Sequence, residues 1–100
     1  MIPRIRVLLY YASSDGEEIE TVYHQVSEQL ADVPGLLGSE LLRSVDQPGG
    51  FIVMSSWSSF DEFKKWEQSP GHKPSTEPLR RFRDPRMGKG FGFYEIAATH

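Results

Sequence analysis

Residues 51–72 read FIVMSSWSSFDEFKKWEQSPGH, and the fold of the whole chain follows from how this stretch is divided. Phe51, Ile52, Val53 and Met54 form an apolar run directly after Gly49-Gly50, the pattern of a strand leaving a turn. The run breaks at Ser58-Ser59 and resumes with Phe60, Phe63 and Trp66, whose recurrence predicts a helix with one apolar stripe. Ser59 and Glu62 have the spacing of a capping box, in which each side chain satisfies a backbone donor near the other. Ser69-Pro70-Gly71 ends the helix, because proline lacks the donor and glycine accepts the left-handed turn. Both tryptophans of the chain, Trp57 and Trp66, lie in this stretch.

Working outward, Arg4 to Ala12 reads as a first strand, with Ile5, Val7, Leu9 and Tyr11 on one face and Arg6, Leu8 and Tyr10 on the other. Ser13 to Gly16 is a turn, and Ser14 with Glu17 forms a second expected capping box. The helix that follows places Ile19, Val22, Tyr23, Val26 and Leu30 on its apolar side and Glu20, His24, Ser27 and Glu28 on its wet side. Pro34-Gly35 marks its end. Leu36 to Val45 is a second strand, with Leu37, Leu41 and Arg43 expected on one face against Leu36, Glu40 and Leu42. Asp46 to Gly50 is a hairpin connection, and Phe51 to Trp57 returns as the third strand. Ser75 to Phe82 can form a short helix with Pro78 in its first turn, Arg83 to Gly90 a loop, and Phe91 to Ala98 the last strand.

The order β-α-β-β-α-(α)-β is that of an α+β, ferredoxin-like split βαβ domain with a four-stranded antiparallel sheet. One hundred residues suit a single domain spanning 1–100. Helices cover one face of such a sheet, yet these strands are apolar on both. A partner sheet, a bound ligand or both must cover the second face.

Composition narrows the function. Cysteine is absent, which excludes disulfides, thiolate metal sites and a cysteine nucleophile. The three histidines lack the paired spacing of a metal site. Gly88-Lys89-Gly90-Phe91-Gly92 precedes a strand and does not match a phosphate loop. The net charge of −3 argues against nucleic acid, and the late cluster Arg80, Arg81, Arg83 and Arg86 reads as a salt-bridged helix end. No apolar run approaches the roughly 20 residues of a membrane span. The N-terminal MIPRIRVLLYYA reads as a strand of a cytoplasmic protein and not as a signal peptide, since its short apolar part alternates with Arg4 and Arg6.

Several of these segments resemble the antibiotic biosynthesis monooxygenase family of small dimeric α+β barrels. The resemblance rests on Pro34-Gly35-Leu36-Leu37-Gly38-Ser39-Glu40-Leu41, on Phe51 to Trp57, and on Phe60, Phe63, Trp66 and Ser69-Pro70-Gly71-His72. The closing Phe93-Tyr94-Glu95-Ile96 strand fits as well. It implies a homodimer with sheets packed face to face and a cavity between sheet and helices in each subunit. It also implies a reaction class: oxidation of aromatic polyketide-type intermediates by molecular oxygen without a cofactor. Heme-degrading members and cyclases or isomerases share the scaffold.

The family's catalytic residues carry over only in part. Quinone-forming members place an asparagine four residues before the strand-end tryptophan and a tyrosine six after it. Here those positions hold Val53 and Phe63, and only Trp57 is retained. Heme-degrading members use a first-strand asparagine, a helix tryptophan and a histidine ten residues later. Trp66 matches that tryptophan, but Thr76 stands in place of the histidine and the chain contains no asparagine at all. Heme is therefore disfavoured and no cofactor is expected. A cyclase or isomerase and a non-catalytic ligand-binding module remain alternatives to the oxygenase.

Abstracting a substrate proton needs a base or an oxyanion donor in an aromatic pocket. His72, whose type titrates near about 6.5, and Trp57 are the expected catalytic groups. Trp66, Phe63, Phe51, Tyr10, Tyr23, Arg43 and Tyr94 are the expected substrate contacts, with Phe91 a further wall. On this reading Trp57→Ala should lower turnover far more than stability. Each candidate also has a plain structural role: the tryptophans as core, His72 as a turn residue, Arg43 paired with Glu40 or Glu95, and Tyr10 and Tyr94 at a dimer interface.

Overall fold

The computed structural model describes residues 4–100; the lead-in Met1 to Pro3 lies outside the described residues. The elements are β1 (Ile5–Ala12), α1 (Gly16–Gln29), β2 (Leu36–Arg43), β3 (Gly50–Trp57), α2 (Phe60–Glu67), α3 (His72–Arg80), a 3₁₀ turn (Pro85–Met87) and β4 (Phe91–Glu95). The sheet order is β2-β3-β1-β4 with every pairing antiparallel, as the split βαβ pattern requires.

Period-two alternation decides the faces. Ile5, Val7 and Tyr11 of β1 and Phe51, Val53 and Trp57 of β3 are buried on the helix side. They meet Ile19, Val22 and Val26 of α1, Phe63 of α2 and Leu79 of α3 in two clusters, with Leu9 packed against both. One cluster centres on α1 and α3; the other, around Trp57, sits under α2.

Several boundaries depart from the sequence reading. Asp15, not Ser14, caps α1: its Oδ1 accepts from the Glu17 and Glu18 amides at 3.0 and 3.2 Å. Ser14 is one residue too early, and the carboxylate adds a favourable charge at the helix's positive end. We expect Asp15→Ala to cost about 1 kcal/mol, measurable as a lowered urea midpoint with an unchanged m-value. α1 stops at Gln29, ahead of Pro34-Gly35, and the chain turns through Leu30–Val33 bonds before β2. By contrast Ser59 caps α2 as expected, its Oγ accepting from the Glu62 amide at 3.2 Å.

In β2 a register shift sets Leu36 opposite Trp57 and Gly38 opposite Ser56, two residues against one. That extra residue turns Leu36 inward with Leu41 and leaves Leu37 55% exposed, the reverse of simple alternation. β2 also ends at Arg43, and β4 at Glu95, both shorter than expected. The third helix begins at His72 instead of Ser75 and carries Pro78 inside it. Within the expected loop, the segment at Arg83 bridges back to Tyr11 of β1, and Pro85–Met87 forms a 3₁₀ turn.

Gly35 fixes the approach of β2 to α2. Its φ is +85°, and a Cβ there would lie 2.4 Å from the Cβ of Glu62, so only glycine fits.

Candidate functional site

The two inward clusters do not close completely on each other. Between the sheet, α1, α2 and α3 lies a cavity of about 210 Å³. Val7, Leu9, Val53, Phe63, Phe91 and Phe93 give it apolar walls, and Trp57, Trp66 and His72 line it as well. Its size falls below the roughly 300–1,000 Å³ usual for drug-sized ligands, which favours a compact ring system over an extended chain.

The aromatic wall is ordered by mutual contacts. Trp57 is 1% exposed and meets Phe63 edge-on at 5.3 Å and Trp66 at 5.4 Å. Its indole N–H donates to Ser55 Oγ at 2.9 Å, two residues back on the same strand face. Phe93 packs edge-on against Phe63 at 5.1 Å. His72, the first residue of α3, sets its ring edge-on to Trp66 at 4.4 Å, so the turn after α2 places it against the cavity.

Five of the nine expected catalytic and substrate-contact residues thus come together around one space, Trp57, Phe63, Trp66, His72 and Tyr23, together with the expected wall residue Phe91. Tyr23 borders it, and its hydroxyl shares a hydrogen bond of 2.8 Å with Ser39 Oγ. The other four lie elsewhere. Phe51 is buried in the α1 cluster, and with Arg43 it borders a separate, open depression near the start of α1. Arg43 stands over the Phe51 ring at 5.8 Å, a cation–π contact that occupies it structurally. Tyr10 and Tyr94 lie on the outer face of the sheet, hydrogen-bonded to each other, and this bond is the main cause raising the Tyr10 phenol above its ordinary pKa. Alternation separates them from the cavity: Tyr10 follows Leu9 and Tyr94 follows Phe93, both inward.

Sequence reasoning missed Tyr11, Phe93, Leu36 and Ser27 as wall residues. Ser27, expected on the wet side of α1, borders the cavity because it is the neighbour of buried Val26. For Tyr11 the signal was present: it shares its strand face with Ile5 and Val7, whereas Tyr10 shares one with Arg6.

Among the described residues no group of three His, Cys, Asp or Glu side chains could hold a metal ion, and no helix is long and apolar enough to cross a membrane.

A one-sided antiparallel sheet, roofed by three helices around a small aromatic cavity, defines an α+β domain of the ferredoxin-like class. Comparison with known proteins places it further: the chain belongs to the antibiotic biosynthesis monooxygenase family, whose sequence model matches residues 6–75. Protein SchA of Streptomyces halstedii is 32% identical over 81 residues, covering 79% of this chain but only 21% of that protein. The chain therefore spans about a fifth of the length of this relative. Deoxynogalonate monooxygenase of Streptomyces nogalater is 27% identical over 71 residues, 71% of this chain and 60% of that one. The crystal structure of SnoaB, a cofactor-independent oxygenase from Streptomyces nogalater, superposes with a TM-score of 0.73 at 20% identity, covering 100% of this chain and 96% of that one. At that identity the superposition speaks for the fold.

Proposed function

We propose that this domain works as a homodimeric, cofactor-independent monooxygenase on a compact aromatic, polyketide-type intermediate. The observation that carries the reading is the aromatic cavity with the His72 ring set against Trp66 at its wall. Family membership and the monooxygenase relative support the reaction class.

The chemistry asks little of the protein. A substrate methylene flanked by aromatic rings and a carbonyl system gives up a proton to a base, the role we assign to His72. The resulting carbanion passes an electron to molecular oxygen. Radical recombination forms a peroxide at that carbon, and loss of water leaves a new carbonyl. One oxygen atom thus enters the product and the other leaves as water, with the substrate supplying all the electrons. Low polarity around the ring limits solvent protonation of the carbanion.

A specific observation keeps a second reading, a non-oxidative cyclase or isomerase, in play. Val53 lines the cavity where quinone-forming relatives are expected to carry an amide, and Phe63 is buried where they carry a phenol. Both replacements remove polar groups that would steer an oxygenated intermediate.

Oxygen consumption by the metal-free protein with the anthrone dithranol separates these outcomes. We expect uptake well above spontaneous oxidation, unchanged by chelator and lowered by His72→Ala. Product without oxygen uptake would transfer the assignment to the cyclase. A Soret shift on hemin titration, with turnover only then, would overturn the cofactor-free reading.

A further inference from the structure

Most polar groups on the cavity wall are already engaged. The Trp57 N–H donates to Ser55, Tyr23 is bonded to Ser39, and Thr76 Oγ1 donates to the His72 carbonyl at 3.0 Å. Arg80 pairs with Glu77 at 3.3 Å.

Tyr11 differs. It lines the cavity and is 6% exposed, and its hydroxyl makes no hydrogen bond among the described residues. Yet no buried side-chain oxygen or nitrogen among those residues is sealed off without a partner. The hydroxyl is therefore not sealed off, and the residue that carries it borders the cavity.

Arg83 stands beside it. Residues 82–84 run antiparallel to the end of β1: the Ala12 amide donates to the Phe82 carbonyl at 2.6 Å and the Asp84 amide to the Tyr10 carbonyl at 3.2 Å. Tyr11 and Arg83 are direct partners in this bridge, and direct partners project to the same side. Arg83 accordingly borders the same cavity.

The bridge is held from behind. Asp84 is 7% exposed and takes a two-pronged bond from Arg86, Nε to Oδ1 and Nη2 to Oδ2, both at 3.0 Å. The Arg86 guanidinium and backbone amide hold the Asp84 carboxyl below its ordinary pKa. Arg80, Arg81 and Arg86 each pair with a carboxylate, while Arg83 makes no ion pair among the described residues. Burial pushes the Tyr11 phenol up to about 12, with Arg83 pulling against it, so the hydroxyl remains a neutral donor at any ordinary pH.

We propose that Tyr11 and Arg83 form an oxyanion-binding corner that holds a phenolate or enolate oxygen of the aromatic substrate while its rings lie against Trp57 and Trp66. The corner combines a neutral donor inside the cavity with a positive charge at its edge, which favours the charged over the neutral form of that oxygen. It rests on the reading of the cavity as an aromatic-substrate site. It also uses a residue beyond the 6–75 segment that the family model matches.

The test is equilibrium binding, followed by quenching of the two tryptophans, both of which border the cavity. The probes are 1,8-dihydroxyanthraquinone and unsubstituted anthraquinone. We expect the wild-type protein to bind the dihydroxy compound about tenfold more tightly. Tyr11→Phe and, separately, Arg83→Gln should erase most of that preference while leaving anthraquinone affinity unchanged. Arg83 is exposed, so its variant keeps the test valid if Tyr11→Phe fails to fold. Equal wild-type affinity for both probes would overturn the corner and leave the aromatic-site reading standing. A preference that survives both substitutions would also overturn it. Binding of neither probe would remove the aromatic-site reading, and the corner with it.

Discussion

Trp57→Ala is expected to destabilise the domain by about 3–5 kcal/mol, a shift of about 12–40 °C in melting temperature for a chain of this length. The side chain is 1% exposed and packs with Ile5, Val7 and Phe63 in one cluster. Its removal deletes two aromatic contacts, at 5.3 and 5.4 Å, and leaves Ser55 Oγ without the indole donor. The void opens directly onto an existing cavity, so the surroundings have little reason to collapse into it. Small domains have about 5–15 kcal/mol in total, and such a variant would sit near the edge of folding. The expectation drawn from sequence alone is that turnover suffers far more than stability; burial this complete adds a stability loss that must be separated from it. Trp57→Phe separates the two roles. It keeps a ring in the wall and should cost only about 1–2 kcal/mol. Because the indole N–H is already bonded to Ser55, the ring and not the N–H is what a ligand would meet. We therefore expect Trp57→Phe to keep most ligand affinity. A loss of affinity as large as that of Trp57→Ala, measured on folded protein, would restore a direct role for the N–H.

The same residue shows what the sequence makes legible and what it does not. In the structure Trp57 shares the inward face of Phe51 and Val53, as alternation along FIVMSSW requires, and the cap at Ser59 sets the start of α2; both are local rules. Whether that face is walled in depends on α2 lying over it with Phe63 reaching Phe93 of β4, a matter of tertiary packing. The errors have the same origin. A single extra residue between Leu36 and Gly38 exchanged the inward and outward leucines of β2. Asp15 displaced Ser14 as the cap through a shift of one position between two residue types that cap equally well. Tyr11 and Tyr10 are adjacent and identical in kind, and composition cannot rank them. Only the neighbours on each face could, since Arg6 marks one side as the wetter. The Tyr11–Arg83 pairing joins residues far apart in the chain through an isolated bridge, and no short-range pattern encodes it.

Met54→Glu is expected to break the proposed dimer into monomers while leaving the fold of each subunit intact. Met54 lies on β3, between β2 and β1, opposite Glu40 on one side and Leu8 on the other. It points away from the helices, on the face that also carries Tyr10, Ile52, Leu42 and Tyr94. Tyr94 and Leu42 are 53% and 38% exposed in the single chain, and Tyr94 folds its ring over Gly92, where a Cβ would meet it at 2.6 Å. On this face Leu8, Tyr10, Leu42, Ile52, Met54 and Tyr94 outnumber the charged Arg6 and Glu40, which is the reason for proposing a second copy of the chain as its cover. In a two-fold interface every substitution appears twice. Two carboxylates would then be desolvated near the centre, each at a cost of several kcal/mol, and every 1.4 kcal/mol weakens the dimer tenfold. A weakening of about a thousandfold or more is the expected result. Within one chain the substitution touches no helix-side contact, and its effect on subunit stability should stay within about 1 kcal/mol. Light scattering at micromolar concentration reads the difference directly. A wild-type protein that is already monomeric would exclude a second copy as the cover. A Met54→Glu variant that remains dimeric would place the interface on some other surface.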